Sequence, residues 1–581
     1  MGIGREGPYA LREYAVIADG ERGALVGPHG NCVWMCFPSW ESPALFDALT
    51  GGMGGYAVRP ADPWHVWGGH YEDRGLIWRS RWVTGHGVIE CREALARPAS
   101  RDRALLLRQV QALNGPARIR VDLDVRADFS RCPMSSRRLA DGLWTARSGG
   151  VRIRWAGAEA ARPAGPGGGL ALFIDLEPGR PHDLVLELSA REPAGPLEDA
   201  RPLWEATEAA WRASVPSCAD TLAPRDAQLS YAVLTGLTSS SGGMVAAATT
   251  SLPERIGGDR DYDYRYAWIR DQCYAGQAVA IHGARLELLD TAVGFVAERV
   301  LSDGPRLRPV YTVDGRPVPP ERPVPLPGYP GARMIVGNRA GDQFQLDAFG
   351  EALLLFATAR RADRLPREAA AAARVATRVI AERWNEPEAG IWETADRRWA
   401  HSRLICVAGL RATAGHAESE NEAARMLALA DEIMAATTAS SLAPEGHWWR
   451  APDDHRIDAS LLLPVLRGAL PADDPRATAT MEKVRDALVQ DGFVYRYKVD
   501  DRPLGEAEGA FTLCGFLLAL VEYQCGEAAR ALRRFERIRS GCGTSGLFTE
   551  EYDVRQRQLR ANLPQAFVHA LFLETATRLA R

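Results

Sequence analysis

Ala117-Arg-Ile-Arg-Val-Asp-Leu-Asp-Val125 alternates charged and aliphatic residues for nine positions. A strand with one buried and one solvated face has this two-residue period. The same signature recurs in Leu76-Ile-Trp-Arg-Ser-Arg-Trp-Val83, Val88-Ile-Glu-Cys-Arg-Glu93, Val151-Arg-Ile-Arg-Trp155 and Leu184-Val-Leu-Glu-Leu188, with turn residues at hairpin spacing between them. From about residue 12 to 192 this pattern predicts an antiparallel β-sandwich. Near residue 199 the period becomes helical: Leu203-Trp-Glu-Ala-Thr-Glu-Ala-Ala-Trp211 reads as a connecting helix. About twelve further amphipathic or apolar helical segments follow, ending near 565–580. Paired as six hairpins and closed into a ring, they predict an (α/α)6 barrel. The expected organisation is a sandwich over 1–195, a helical linker over 196–225 and a catalytic barrel over 226–581. Without a fixed-period repeat, closure of the ring is an expectation.

The chain has 581 residues, 46% hydrophobic and 25% charged, with a formal net charge of −4. Such a charge gives no reason to expect nucleic acid or an anionic membrane as a partner. No run approaches the roughly 18 apolar residues of a membrane helix. The first residues carry no apolar stretch of the secretory kind, so a cytoplasmic location is expected. Ten cysteines lack the paired spacing of a zinc site and read as free thiols. Cys32 and Cys36, four apart in a strand-like run, are expected on one face. No cofactor or metal is expected, and no calcium-binding loop of the EF-hand type is present.

Two segments place a carboxylate beside an aromatic residue shortly after a glycine: Gly390-Ile-Trp-Glu393 and Gly546-Leu-Phe-Thr-Glu550-Glu551-Tyr552. A third, Trp268-Ile-Arg-Asp271, sets a cation and a carboxylate next to another indole. Taken singly, each also suits a surface carboxylate or a core indole. Together they suit the cleavage of a sugar acetal, where one carboxyl protonates the leaving oxygen and a second activates water or attacks carbon. Sixteen tryptophans exceed what a core alone needs, and indole faces stack on sugar rings. The Pro-rich connection from about 303 to 337 is too long for a simple linker and is expected to shape the site.

The local sequences, taken in order, resemble glycoside hydrolase family 15, the glucoamylase-like enzymes. The blocks are Tyr9-Ala-Leu-Arg-Glu-Tyr-Ala-Val-Ile-Ala-Asp19, Gly257-Gly-Asp-Arg-Asp-Tyr-Asp-Tyr-Arg-Tyr-Ala-Trp-Ile-Arg-Asp271, Gly337-Asn-Arg-Ala-Gly-Asp-Gln-Phe-Gln-Leu-Asp347, Ile457-Asp-Ala-Ser-Leu-Leu-Leu-Pro464, Glu508-Gly-Ala-Phe511 and Asn562-Leu-Pro-Gln-Ala-Phe-Val-His569. The resemblance runs nearly end to end. It implies a β-sandwich followed by an (α/α)6 barrel, and hydrolysis with inversion that releases β-glucose from the non-reducing end of an α-glucoside. It places Glu393 on the general acid and Glu550 on the general base, with Glu551 a rival for the base. It places Arg270 and Asp271 on the grip of the terminal glucose, and Trp268 and Trp392 on its walls. An acid in that role must be protonated at working pH, so its surroundings are expected to raise its pKa.

Three departures from the family pattern concern the second sugar. Asp261-Tyr262 replaces Asn-Trp, Cys32-Val-Trp34 replaces Ile-Asp-Trp, and the loop from Thr394 to His401 is short. They bear on which sugar and linkage lie beyond the cleaved bond; the resemblance implies malto- or isomalto-oligosaccharide hydrolysis, with a trehalase of the same family as the alternative. A glycoside phosphorylase would need an anion site instead of a base, and an inactive sugar-binding protein would be expected to lack one of the two acids.

Overall fold

The computed structural model describes residues 7–581 apart from 165–167, 256, 258 and 259. The first six residues and Gly258-Asp259 of the sequence block therefore lie outside the described residues. Between Ala15 and Ser189 two eight-stranded antiparallel sheets face each other. Strand Ala117–Asp124 sits inside the first sheet, paired on one side with Gly55–Pro60 and on the other with Gly169–Leu176. Its aliphatic residues Ile119, Val121 and Leu123 are fully buried in the space between the sheets, as the alternation requires. Each such side chain contributes roughly 1.5–3 kcal/mol relative to an exposed one.

Strand Asn31–Cys36 departs from the simple period. Val26 pairs with Cys32 but Leu25 pairs with Trp34, so Val33 is an extra residue. This bulge reverses the phase of the strand. Cys32 consequently joins the interior of the sandwich, while Cys36 joins the core on the helical side, so the two cysteines do not share a face. All ten cysteines are free.

Helix α1 (Ala200–Ser214) leaves the sandwich, and among the described residues twelve helices follow: α2 (Pro224–Leu237), α3 (Ile269–His282), α4 (Glu287–Asp303), α5 (Asp347–Arg361), α6 (Arg367–Arg383), α7 (Ala400–Ala414), α8 (Glu420–Ser441), α9 (Leu462–Leu466), α10 (Pro475–Leu488), α11 (Thr512–Gln524), α12 (Ala528–Arg539) and α13 (Ala566–Arg578). The ring is closed: α3, α5, α7, α9, α11 and α13 each pack on the next, and α13 returns to α3. The partners α2, α4, α6, α8, α10 and α12 lie outside it. Inner helices such as α11 and α13 are buried on nearly every side, because neighbours cover them all round. Outer α12 carries a single buried stripe of Ala531, Phe535 and Ile538 among arginines and glutamates. Gly350 of α5 and Gly409 of α7 let these two inner helices approach closely. A Cβ on Gly350 would lie 2.8 Å from the backbone of α7. Among the described residues, no helix is long and apolar enough to cross a membrane.

The sandwich also braces the barrel. Its outer residues Val16, Leu25 and Trp34 continue the helical core, and Trp34 Nε1 donates to the Ala248 carbonyl at 2.9 Å. Arg265 Nη1 donates to the carbonyls of Trp40 and Ser42 at 3.2 and 2.9 Å, behind the loop that carries Trp268. Residues 38–42 thus support that loop from behind and do not line the cleft at the barrel mouth.

Candidate active site

A cleft of about 790 Å³ opens at one end of the helical ring, and the loops entering the inner helices form its walls. Trp268 immediately precedes α3, with Arg270 and Asp271 in the first turn. A carboxylate there is favoured by the exposed N–H groups and the helix dipole. Arg270 Nη1 donates to the Ile391 carbonyl at 2.9 Å, tying the start of α3 to the loop between α6 and α7. That loop is shaped from beneath by Glu388, whose carboxylate accepts from Gly390 N at 2.7 Å.

Glu393 sits midway along this loop with φ +55°, a left-handed backbone costly for a residue with a side chain. Its Oε1 accepts from Trp268 Nε1 at 2.7 Å and lies 4.0 Å from Arg270 Nη1. The strained turn and these two partners aim the carboxyl into the cleft. Trp392 also lines the cleft, fixed by its Nε1 donating to Asp458 at 2.9 Å and by an edge-on contact with Phe511 at 5.0 Å.

Glu550 reaches the cleft from the connection between α12 and α13. Its Oε2 accepts from the Tyr264 hydroxyl at 2.8 Å, and the Tyr264 ring meets Trp268 edge-on at 5.7 Å. The aromatic pair Trp268 and Tyr264 therefore separates the two carboxyls, each residue holding one of them. Burial, followed by the negative charge of Glu254, pushes Glu550 up to about 8. Glu551 points elsewhere: it is fully buried, and its Oε2 accepts from Gly509 N at 2.7 Å.

Of the six residues singled out in sequence, Trp268, Arg270, Trp392, Glu393 and Glu550 line the cleft. Asp271 does not. It is fully buried behind Arg270, with Oδ2 3.3 Å from Arg270 Nε, and burial raises it to about 6 against the opposing effect of that cation.

Several wall residues had no individual sequence signal. Tyr264, Glu254 and Arg260 came within or beside quoted blocks without a role. Arg496 and Tyr497 came from a stretch with no motif. The long connection supplies Glu321, Arg333 and Ile335, consistent with a role in shaping the site. At the first departure, Asp261 accepts from Arg333 N at 2.9 Å and Tyr262 stacks parallel to Tyr264. Among the described residues, no group of three or more His, Cys, Asp and Glu is arranged to hold a metal.

A closed ring of six inner helices with acids, indoles and an arginine at its mouth defines a carbohydrate-cleaving (α/α)6 enzyme. The model for Glycosyl hydrolases family 15 matches residues 231–577, and the model for a Trehalase-like, N-terminal domain matches residues 4–151. The chain belongs to glycoside hydrolase family 15. It is 30% identical to a trehalase of Mycobacterium tuberculosis, over 98% of this chain and 90% of that one. It is 28% identical to trehalase 1 of Sulfolobus acidocaldarius, over 97% and 98%. A crystal structure of a bacterial glucoamylase complexed with acarbose shares the fold with TM-score 0.73 and 13% identity, covering all of this chain and 96% of that one.

Proposed function

We propose that this glycoside hydrolase cleaves α,α-trehalose, with Glu393 as general acid and Glu550 as general base. The observation that carries the substrate is the end-to-end relation to proteins named trehalase, which includes the sandwich as well as the barrel. The likeness to glucoamylase is one of fold, so the oligosaccharide reading yields to its alternative. Polar walls suit a second glucose: Arg260, Arg333 and Arg339 line the cleft and offer donors to its hydroxyls.

In this reading one glucose lies over Arg270 and between the indoles. Glu393, in its protonated form, gives its proton to the oxygen shared by the two rings as the bond to C1 breaks. Glu550, ionised, takes a proton from water as that water's oxygen bonds to C1 from the opposite face. An inverting pair stands roughly 6.5–9.5 Å apart to admit the water. The products are two glucose molecules. After one turnover the protons have moved from Glu393 to the leaving hydroxyl and from water to Glu550, and exchange with solvent resets both.

The test is kcat/KM on trehalose, maltose, isomaltose and malto-oligosaccharides, followed by release of glucose. Trehalose is expected to give the highest kcat/KM of the four. Faster cleavage of maltose or isomaltose would return the chain to the oligosaccharide reading.

A further inference from the structure

Glu254 lines the cleft, yet its side chain is only 4% exposed, and the reaction above gives it no part. Its carboxylate lies 3.4 Å from Arg260 Nη1 and 3.5 Å from Arg496 Nη2. Glu508 holds both cations more closely, Arg260 at 2.9 Å and Arg496 at 2.8 Å. Glu551 adds a further carboxylate 3.8 Å from Arg496. The two guanidiniums are shared among these three carboxyls, and Glu550, the chain neighbour of Glu551, lies within reach of the same charges. Two positive charges cannot balance four negative ones there, so the carboxyls compete for protons and titrate as a group. Glu254 is held by two loose ion pairs, with no backbone anchor comparable to Gly509 N for Glu551.

We propose that Glu254 is a positioning residue which, through its charge beside Arg260 and Arg496, decides how readily Glu550 becomes a base. The inference rests on Glu550 being that base. After burial itself, Glu254 is the neighbour that most opposes ionisation of Glu550. Arg496, the Tyr264 hydroxyl and Arg270 act in the opposite sense. Glu254 is itself raised by burial, with Arg496 and Arg260 opposing and Glu508 adding to the rise, and Glu551 is driven upward by burial and then by Glu254 and Glu508. Across the cleft, Glu393 faces the same aromatic pair from its other side. Removing the charge of Glu254 leaves Glu550 with fewer negative neighbours and the same cations, so Glu550 ionises at lower pH.

The experiment measures kcat/KM against pH with α-glucosyl fluoride, whose leaving group needs no proton from Glu393. The limb on the acidic side then reports Glu550. Glu254→Gln is expected to move that limb down by about one pH unit, the lower end of what a neighbouring charge does. Arg260→Gln is expected to move it down as well, because Glu254 without its nearer cation holds its proton to higher pH and opposes Glu550 less. A simple change of net charge would shift the two variants in opposite directions, so equal signs identify Glu254 as the intermediary, and Arg260→Gln alone remains decisive if Glu254→Gln does not fold. Limbs left at the wild-type pH in the folded variants, with Glu550→Ala inactive, would overturn this inference alone. An active Glu550→Ala would instead overturn the base assignment beneath it.

Discussion

In the sandwich interior Arg108 meets one carboxylate, Glu93, at 3.0 Å, with Cys32 Sγ at 3.2 Å and the Tyr56 ring 4.3 Å away. At the barrel mouth Arg260 and Arg496 meet Glu254, Glu508 and Glu551, with Glu550 alongside. Both groups are buried, and only the first is balanced. A matched pair holds a fixed arrangement. An acid-rich group must keep protons and release them, which is what a site of general acid and base chemistry needs. The comparison assigns stability to one region and reactivity to the other, and substitutions should separate the two.

The largest effects belong to the cleft. Glu393→Gln and Glu550→Ala should each lower kcat/KM on trehalose by about 10³-fold or more while melting near the wild type, in keeping with loss of a general acid or base. Glu393→Gln should keep activity on α-glucosyl fluoride and Glu550→Ala should not. Equal retention by both would erase the distinction between them. Next comes the sandwich, where Glu93→Gln strands Arg108. It should cost about 3–5 kcal/mol of stability in denaturant titrations and leave kcat of the folded enzyme unchanged. A large fall in kcat would mean the two regions are coupled.

Smaller effects refine the picture of the cleft. Asp271→Asn removes the charge behind Arg270 and should lower kcat/KM by about 10- to 100-fold, the range for a hydrogen bond to a charged group. Wild-type kinetics would confine the pair to a structural role. Tyr264→Phe deletes the hydroxyl that favours ionised Glu550. It should cost about 10-fold and move the acidic limb of the pH profile upward, the sign opposite to Glu254→Gln. A limb that stays in place would detach Tyr264 from Glu550.

Periodicity made the sandwich and the count of helices legible, because Ala117–Val125 and the helical segments each repeat within a few residues. Closure of the ring depends on α13 returning to α3, a contact between distant parts of the chain that no local pattern carries. The bulge at Val33 escaped for a related reason: one extra residue shifts the strand against its partner, and the partner is not visible in a window of five. The acids and indoles were readable as short motifs. That Asp271 lies behind Arg270, and that Tyr264 reaches Glu550, follows only from the folded loops. The Arg260 and Glu254 cluster was hidden because its members come from three separate segments.

The central claim is that Glu393 and Glu550 act on opposite faces of C1, and proton NMR of the first glucose released from trehalose tests it most directly. Trehalose joins two α-glucose units through their anomeric carbons. Inversion at one C1 therefore yields one β-glucose and one α-glucose per turnover, and the two anomers should appear at equal initial rates before mutarotation. Initial release of α-glucose alone would mean retention at C1, and would contradict the roles given to both glutamates.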